Sequence, residues 1–222
     1  MPSPAASPLT QTGLLLILSA PSGAGKTSLY QALLARMTHV VASVSHTTRP
    51  ARPGEQDGVD YHFVSSESFD GLVAEGAFLE HAHVFDRQYG TSRAAVEAER
   101  RAGRDVVLEI DWQGARQIRE RVPEAVSVFI LPPSREALRQ RLEGRGQDDE
   151  AVIERRMRDA EAEMSHYHEY DYVLINDDFE EALASLMAVV RAERCRTANR
   201  RPAIDRFAED LMGKIDDGGW SG

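Results

Sequence analysis

The sequence predicts an α/β fold, a five-stranded parallel sheet with helices on both faces, and three observations predict it. Five short runs, Leu14–Leu18, Val40–Ser45, Asp105–Ile110, Val126–Leu131 and Tyr172–Ile175, have the continuous apolar or β-branched texture of strands buried on both faces. Segments with helical apolar spacing alternate with them. The first run leads directly into Ala20-Pro21-Ser22-Gly23-Ala24-Gly25-Lys26-Thr27, a glycine-rich stretch that opens a helix bearing Leu29, Leu33, Leu34 and Met37.

That stretch reads as a phosphate-binding loop. Glycines let the chain wrap closely round an anion, successive N–H groups point inward, and the helix N-terminus adds partial positive charge. Lys26 is expected to supply a full charge to the β- and γ-phosphates of a nucleotide, and Thr27 to place its hydroxyl on Mg²⁺. The common pattern G-x-x-x-x-G-K-[ST] has Gly where this chain has Ala20. A methyl group is tolerated there as long as the residue keeps negative φ.

Downstream of the second strand the texture changes. His46-Thr47-Thr48-Arg49-Pro50-Ala51-Arg52-Pro53-Gly54-Glu55 is a loop of fixed φ values carrying two arginines. Tyr61–Val64 reads as a short strand and Ser66–Glu75 as a short helix with Phe69, Leu72 and Val73 inward. Phe78–His81 and Val84-Phe85 extend a small sheet. Residues 45–92 thus form an inserted mixed α+β lobe. Thr91 or Ser92 can N-cap the next helix, which Gly103 stops. Asp111 ends the third core strand, where a second acid near Mg²⁺ and its waters belongs; an ordinary helix-start Asp is the alternative.

Ala115–Val122 reads as a helix broken by Pro123, and Ser134 caps another that carries Leu138 and Leu142 on one side and Arg141 and Arg145 on a different one. Gly144 and Gly146 interrupt it. A further helix begins near Asp148 or Asp149, with a packing seam of Ile153, Met157, Ala160 and Met164, and Arg155, Arg156 and Arg158 off that seam. Residues 134–160 are a candidate lid hinged over phosphates, or else a solvated charged hairpin. The last long helix runs from Phe179 to about Thr197 on Leu183, Leu186 and Val190. Residues 1–12 and 198–222 are expected to be a disordered extension and a weakly ordered tail flanking one domain over 13–197.

A net charge of −10 argues against bulk electrostatic binding to nucleic acid. Cys195 is the only cysteine, which fits a reducing compartment and excludes an intrachain disulfide. The first residues lack the basic start of a signal peptide, and no apolar run approaches the ~20 residues of a membrane span. A cytoplasmic protein without membrane contact is expected, with homo-oligomerisation left open. Two arginine groups besides the phosphate loop suggest a second phosphate-bearing acceptor and a clamp on a group in flight.

Six stretches then carry a resemblance over about residues 13–197: Ser19 to Lys26, Val44-Ser45-His46-Thr47-Thr48-Arg49, Arg52-Pro53-Gly54-Glu55, Tyr89-Gly90-Thr91, Asp111-Trp112-Gln113-Gly114 and Arg141-Leu142-Glu143-Gly144-Arg145-Gly146. In these stretches and their order the chain resembles bacterial guanylate kinases, in which Ala at the position of Ala20 is familiar. The resemblance implies phosphoryl transfer from ATP to GMP with Mg²⁺. It places Ser45, Arg49, Arg52, Tyr61, Glu80, Tyr89, Thr91 and Asp111 on GMP, with Glu80 accepting from guanine N1–H and N2–H₂ and Ser45 donating to O6. Ala20, Pro21, Ser22, Gly23, Ala24, Gly25, Lys26, Thr27 and Ser28 would hold ATP, with Asn176 near adenine. Lys26, Arg49, Arg141, Arg145, Arg156 and Asp111 are the expected catalytic set. Asp111-Trp112-Gln113-Gly114 also fits the D-x-x-G of GTPases, but no N-K-x-D motif accompanies it. A guanylate-kinase-like scaffold module that binds phosphopeptides is the other alternative; such modules typically lose the phosphate loop.

Overall fold

Five parallel strands form the central sheet of the computed structural model, which describes residues 12–84, 86–144 and 149–212. They are β1 (Leu15–Ser19), β2 (Val40–Ala42), β7 (Asp105–Glu109), β8 (Val126–Leu131) and β9 (Tyr172–Ile175), in the order β2-β7-β1-β8-β9. All five residues of β1 are buried because the strand lies at the centre, with layers of side chains on both faces. Leu16 and Leu18 pack against Leu29 and Leu33 of α1 (Lys26–Arg36) and Leu183, Leu186 and Val190 of α7 (Phe179–Cys195). Leu15 and Ile17 face the other way, onto Val96 of α3 (Arg93–Arg101) and Ala115 and Ile118 of α4 (Trp112–Arg121). The period-2 alternation along one strand thus distributes helices to both faces.

The run Val40–Ser45 is shorter as a strand than its texture predicts. β2 stops at Ala42, where its parallel pairing with β7 ends, and the chain pairs again as β3 (His46–Thr47) in a second sheet. That sheet has the order β4-β3-β6-β5, with β4 (His62–Phe63), β5 (Phe78–Val84) and β6 (Arg87–Ser92). β5 is continuous where the sequence suggested two pieces. β6, too polar to read as a strand, is formed by antiparallel pairing with β5 and β3, in a register that sets Glu80 opposite Thr91. α2 (Ser66–Ala74) closes the lobe with Phe69 buried against Phe78. Phe85 lies outside the described residues.

Ser92 caps α3 with its side chain on Ala95 N, and Gly103 follows at φ 80°, where a side chain is strained. α4 starts at Trp112, earlier than the apolar pattern indicates, because the Asp111 side chain accepts from Gly114 N and fixes the first turn. The edge strand β5 is covered by α4. The Gln117 side chain accepts from His81 N at 3.2 Å and donates to His81 O at 2.8 Å, and Arg121 donates to Leu79 O.

The candidate lid consists of α5 (Arg135–Glu143), capped by Ser134, and α6 (Glu150–Met164), capped by Asp149. Leu138, Leu142, Ile153, Met157 and Ala160 join them in a small core of their own. Arg145, Gly146 and Asp148 lie outside the described residues. The segment from Ala198 to Met212, expected to be weakly ordered, belongs to helix α8 (Thr197–Met212) despite Pro202. Asn199 anchors it by donating to Glu193 O at 2.9 Å. Residues 1–11 and 213–222 lie outside the described set. Among the described residues no helix is long and apolar enough to cross a membrane.

Candidate active site

The glycine loop leaves β1 at the carboxyl edge of the sheet, and its backbone is bent by Gly23 and Gly25, both at φ 91°. The second bend also makes room. A Cβ on Gly25 would collide with the Asn176 amide, which is buried and donates to Ala24 O at 2.7 Å. Lys26 donates to Ile110 O at 3.3 Å, and burial pulls its pKa down against the opposing pull of Glu109, Glu163 and Asp111. Thr27 donates from its hydroxyl to Glu109 at 2.6 Å. Arg141 bonds Asn176 O at 2.9 Å and Ala24 O at 3.4 Å, and Arg156 approaches the Ser22 hydroxyl at 3.5 Å. Of the six arginines on α5 and α6, Arg141 and Arg156, the two expected on the phosphates, therefore reach the loop or the chain beside it. Arg145 is outside the described residues.

A hollow of about 200 Å³ lies within the loop, and a cleft of about 430 Å³ opens beside it toward the inserted lobe. Lys26, Thr27 and Asp111 line both. Of the residues expected on the acceptor, Ser45, Arg52, Tyr61, Glu80, Tyr89 and Asp111 line the cleft. Arg49 and Thr91 do not. Arg49 is held by a two-point ion pair with Glu55 at 2.9 and 2.8 Å, with its guanidinium 5.3 Å from the Tyr61 ring centre. Thr91 is fully buried and donates its hydroxyl to the Glu80 carboxylate at 2.5 Å.

Glu80 is the most unusual group of the cleft. Only 3% exposed, it has its pKa pushed up to about 7 by burial, while the Thr91 hydroxyl and the Arg121 charge pull it down and Asp111 adds to the rise. Such a carboxylate favours a ligand that brings N–H donors. Its second oxygen leaves no space beside α4, for a Cβ on Gly114 would lie 2.7 Å from Glu80 Oε2. Gly114→Ala is therefore expected to displace Glu80 and raise KM for the acceptor nucleotide by ~10-fold, with a much smaller change in KM for ATP; steady-state kinetics with each substrate varied in turn checks this.

Asp111 caps α4 through Gly114 N at 2.9 Å, as the helix-start reading expects, and also lines both cavities. Three further carboxylates escaped sequence reasoning. Glu109 lies two residues before Asp111, so strand alternation alone puts both acids on one side of the chain, and that signal could have found it. Glu55 clamps Arg49. Glu163 accepts from Ser22 N at 3.2 Å across 141 positions of sequence, and no local pattern announces it.

A glycine loop between a strand and a helix, joined to a second cleft at the carboxyl ends of parallel strands, is the layout of a nucleoside monophosphate kinase. The guanylate kinase family profile matches residues 12–193. The chain belongs to the guanylate kinase family. It is 60% identical over 201 residues to the guanylate kinase of Alkalilimnicola ehrlichii, covering 90% of this chain and 99% of the relative. It is 58% identical to that of Chromohalobacter salexigens, covering 92% and 95% respectively. The crystal structure of guanylate kinase from Anaplasma phagocytophilum superimposes with a TM-score of 0.76 at 37% identity, over 95% of this chain and all of that one. The scaffold-module and GTPase alternatives are not favoured, because the relatives matched along nearly their whole length are named as the kinase.

Proposed function

We propose that the residues of this site divide between them the family's reaction, transfer of the terminal phosphoryl group of ATP to a phosphate oxygen of GMP. The observation that carries this reading is the junction of the loop hollow and the acceptor cleft at Lys26, Thr27 and Asp111. The loop from Ala20 to Ser28 receives the ATP phosphates, with Lys26 as its fixed charge and Asn176 beside the nucleoside. Arg52, Tyr61 and Tyr89 hold the GMP phosphate, joined by Arg49, which exchanges Glu55 for it. Glu80, set by Thr91, accepts from the guanine N–H groups, and Ser45 donates to O6. Arg141, Arg145 and Arg156 close on the moving phosphoryl. The work is positioning and charge stabilisation, with no covalent enzyme intermediate.

Thr27 and Glu109 supply hard oxygen donors next to the loop, a set that fits Mg²⁺. An ion held there with ATP would supply charge neutralisation for the nucleotide phosphates. Glu109 orients the Thr27 hydroxyl, and Asp111 is placed to hold a water.

A coupled assay of ADP formation with GMP, dGMP, AMP, UMP and CMP offered separately tests the reading. GMP should be turned over far faster than AMP, UMP or CMP; preference for another base would overturn the acceptor assignment. In the same assay Glu109→Gln should raise the Mg²⁺ concentration giving half-maximal rate by roughly 10-fold or more, the usual effect of losing an orienting partner. An unchanged Mg²⁺ requirement would remove Glu109 from the metal site.

A further inference from the structure

The glycine loop already holds an anion of the protein's own. Near the C-terminal end of α6, Glu163 directs a carboxylate oxygen to Ser22 N at 3.2 Å and lines the loop hollow with Lys26 and Asp111. A backbone N–H facing inward from such a loop is the donor a phosphate uses. Lys26, the cation of the hollow, feels Glu163 together with Glu109 and Asp111. Seven positions earlier on the same helix, two turns away and so on nearly the same face, Arg156 reaches the Ser22 hydroxyl at 3.5 Å. One helix therefore presents groups of opposite sign to one residue of the loop.

We infer that Glu163 is an internal competitor for the nucleotide phosphates: its carboxylate occupies the Ser22 amide when the loop is empty and is driven off when ATP binds. The inference rests on the reading of the loop as the ATP site. Phosphate in the hollow attracts Arg156 and repels Glu163, so occupancy is felt at two points of α6, and the helix shifts with it. When phosphate charge leaves, Glu163 returns to Ser22 and opposes rebinding. Its role is thus to weaken retention of the product ADP and to couple the lid to occupancy of the loop, a positioning role rather than a catalytic one.

Glu163→Gln removes the charge and keeps the shape, whereas Glu163→Ala removes both. In calorimetric titrations without GMP, both variants should bind ADP and the β,γ-imido analogue of ATP, each with Mg²⁺, about 5- to 10-fold more tightly than wild type. KM for ATP and the inhibition constant of ADP should fall by similar factors, while GMP affinity stays unchanged. If Glu163 merely braces the loop, both variants bind nucleotide more weakly, and that result overturns the inference. Tight binding by wild type with no gain in either variant overturns it as well. Failure of the wild type to bind the analogue would overturn the loop reading, and this inference with it.

Discussion

Lys26→Ala is expected to abolish measurable transfer from ATP to GMP while leaving the protein folded. The side chain is the one cation reaching the loop hollow from α1, and among the described residues its only hydrogen-bond partner is Ile110 O at 3.3 Å. Its charge is held against a burial cost that lowers its pKa, so its removal relieves desolvation as it removes a contact, and stability changes little. Catalysis has no such offset. Without Lys26 the loop loses the charge that offsets Glu109, Asp111 and Glu163, and loss of one contact to developing charge costs ~10²–10³ in rate. Thermal unfolding of the variant should match wild type within a few degrees while kcat falls by at least that factor. Near-normal kcat in the folded variant would remove the loop from the reaction.

The second large effect concerns the choice of base. On the proposed reading Glu80 meets two N–H donors when GMP binds, whereas AMP would leave a buried carboxylate without them, at a cost of several kcal/mol. Glu80→Gln should lower kcat/KM for GMP by ~10² or more, in line with charge-assisted bonds of ~1.5–3 kcal/mol each, and should narrow the GMP-to-AMP ratio because an amide offers both a donor and an acceptor. The pH dependence follows from the same burial. With a pKa raised to about 7, Glu80 is protonated in the free enzyme below that pH and loses acceptor capacity, so the wild-type ratio should climb as pH rises through 7. AMP carries the same phosphate as GMP, so the ratio cancels the titration of the substrate. Stability runs the opposite way. A carboxyl whose folded pKa lies above the ordinary 4.5 stabilises the empty protein at low pH, and that contribution is lost as pH rises through about 7. A flat ratio across this range would assign the discrimination to Ser45 and Asp111 instead.

The core strands were legible because strands covered on both faces need uninterrupted apolar runs, and Leu14–Leu18 and Val126–Leu131 supply them. The phosphate loop was legible because its chemistry is local: Gly23, Gly25, Lys26 and Thr27 act within one turn of chain. β6 was not, since Arg87–Ser92 owes its conformation to the strands on either side of it. Nor was α8 legible. Its Phe207, Leu211 and Met212 are exposed, and among its described side chains none is buried to leave a period in the sequence. The clasp of Arg49 by Glu55 could have been suspected from proximity, but the meeting of Glu163 with Ser22 exists only after the lid folds back over the loop.

The cover that α4 places on β5 has a consequence for how copies of this chain behave in a crowded solution. An edge strand with open N–H and C=O groups is a template onto which another molecule can zip, and Glu80 lies on such a strand. The Gln117 amide satisfies both peptide groups of His81, as a neighbouring strand would, and Arg121 takes the carbonyl of Leu79. Two side chains of a helix thereby remove the part of the edge nearest Glu80 from the reach of intermolecular β-pairing. The acceptor lobe can keep a polar, open cleft beside that strand without recruiting a second chain into it.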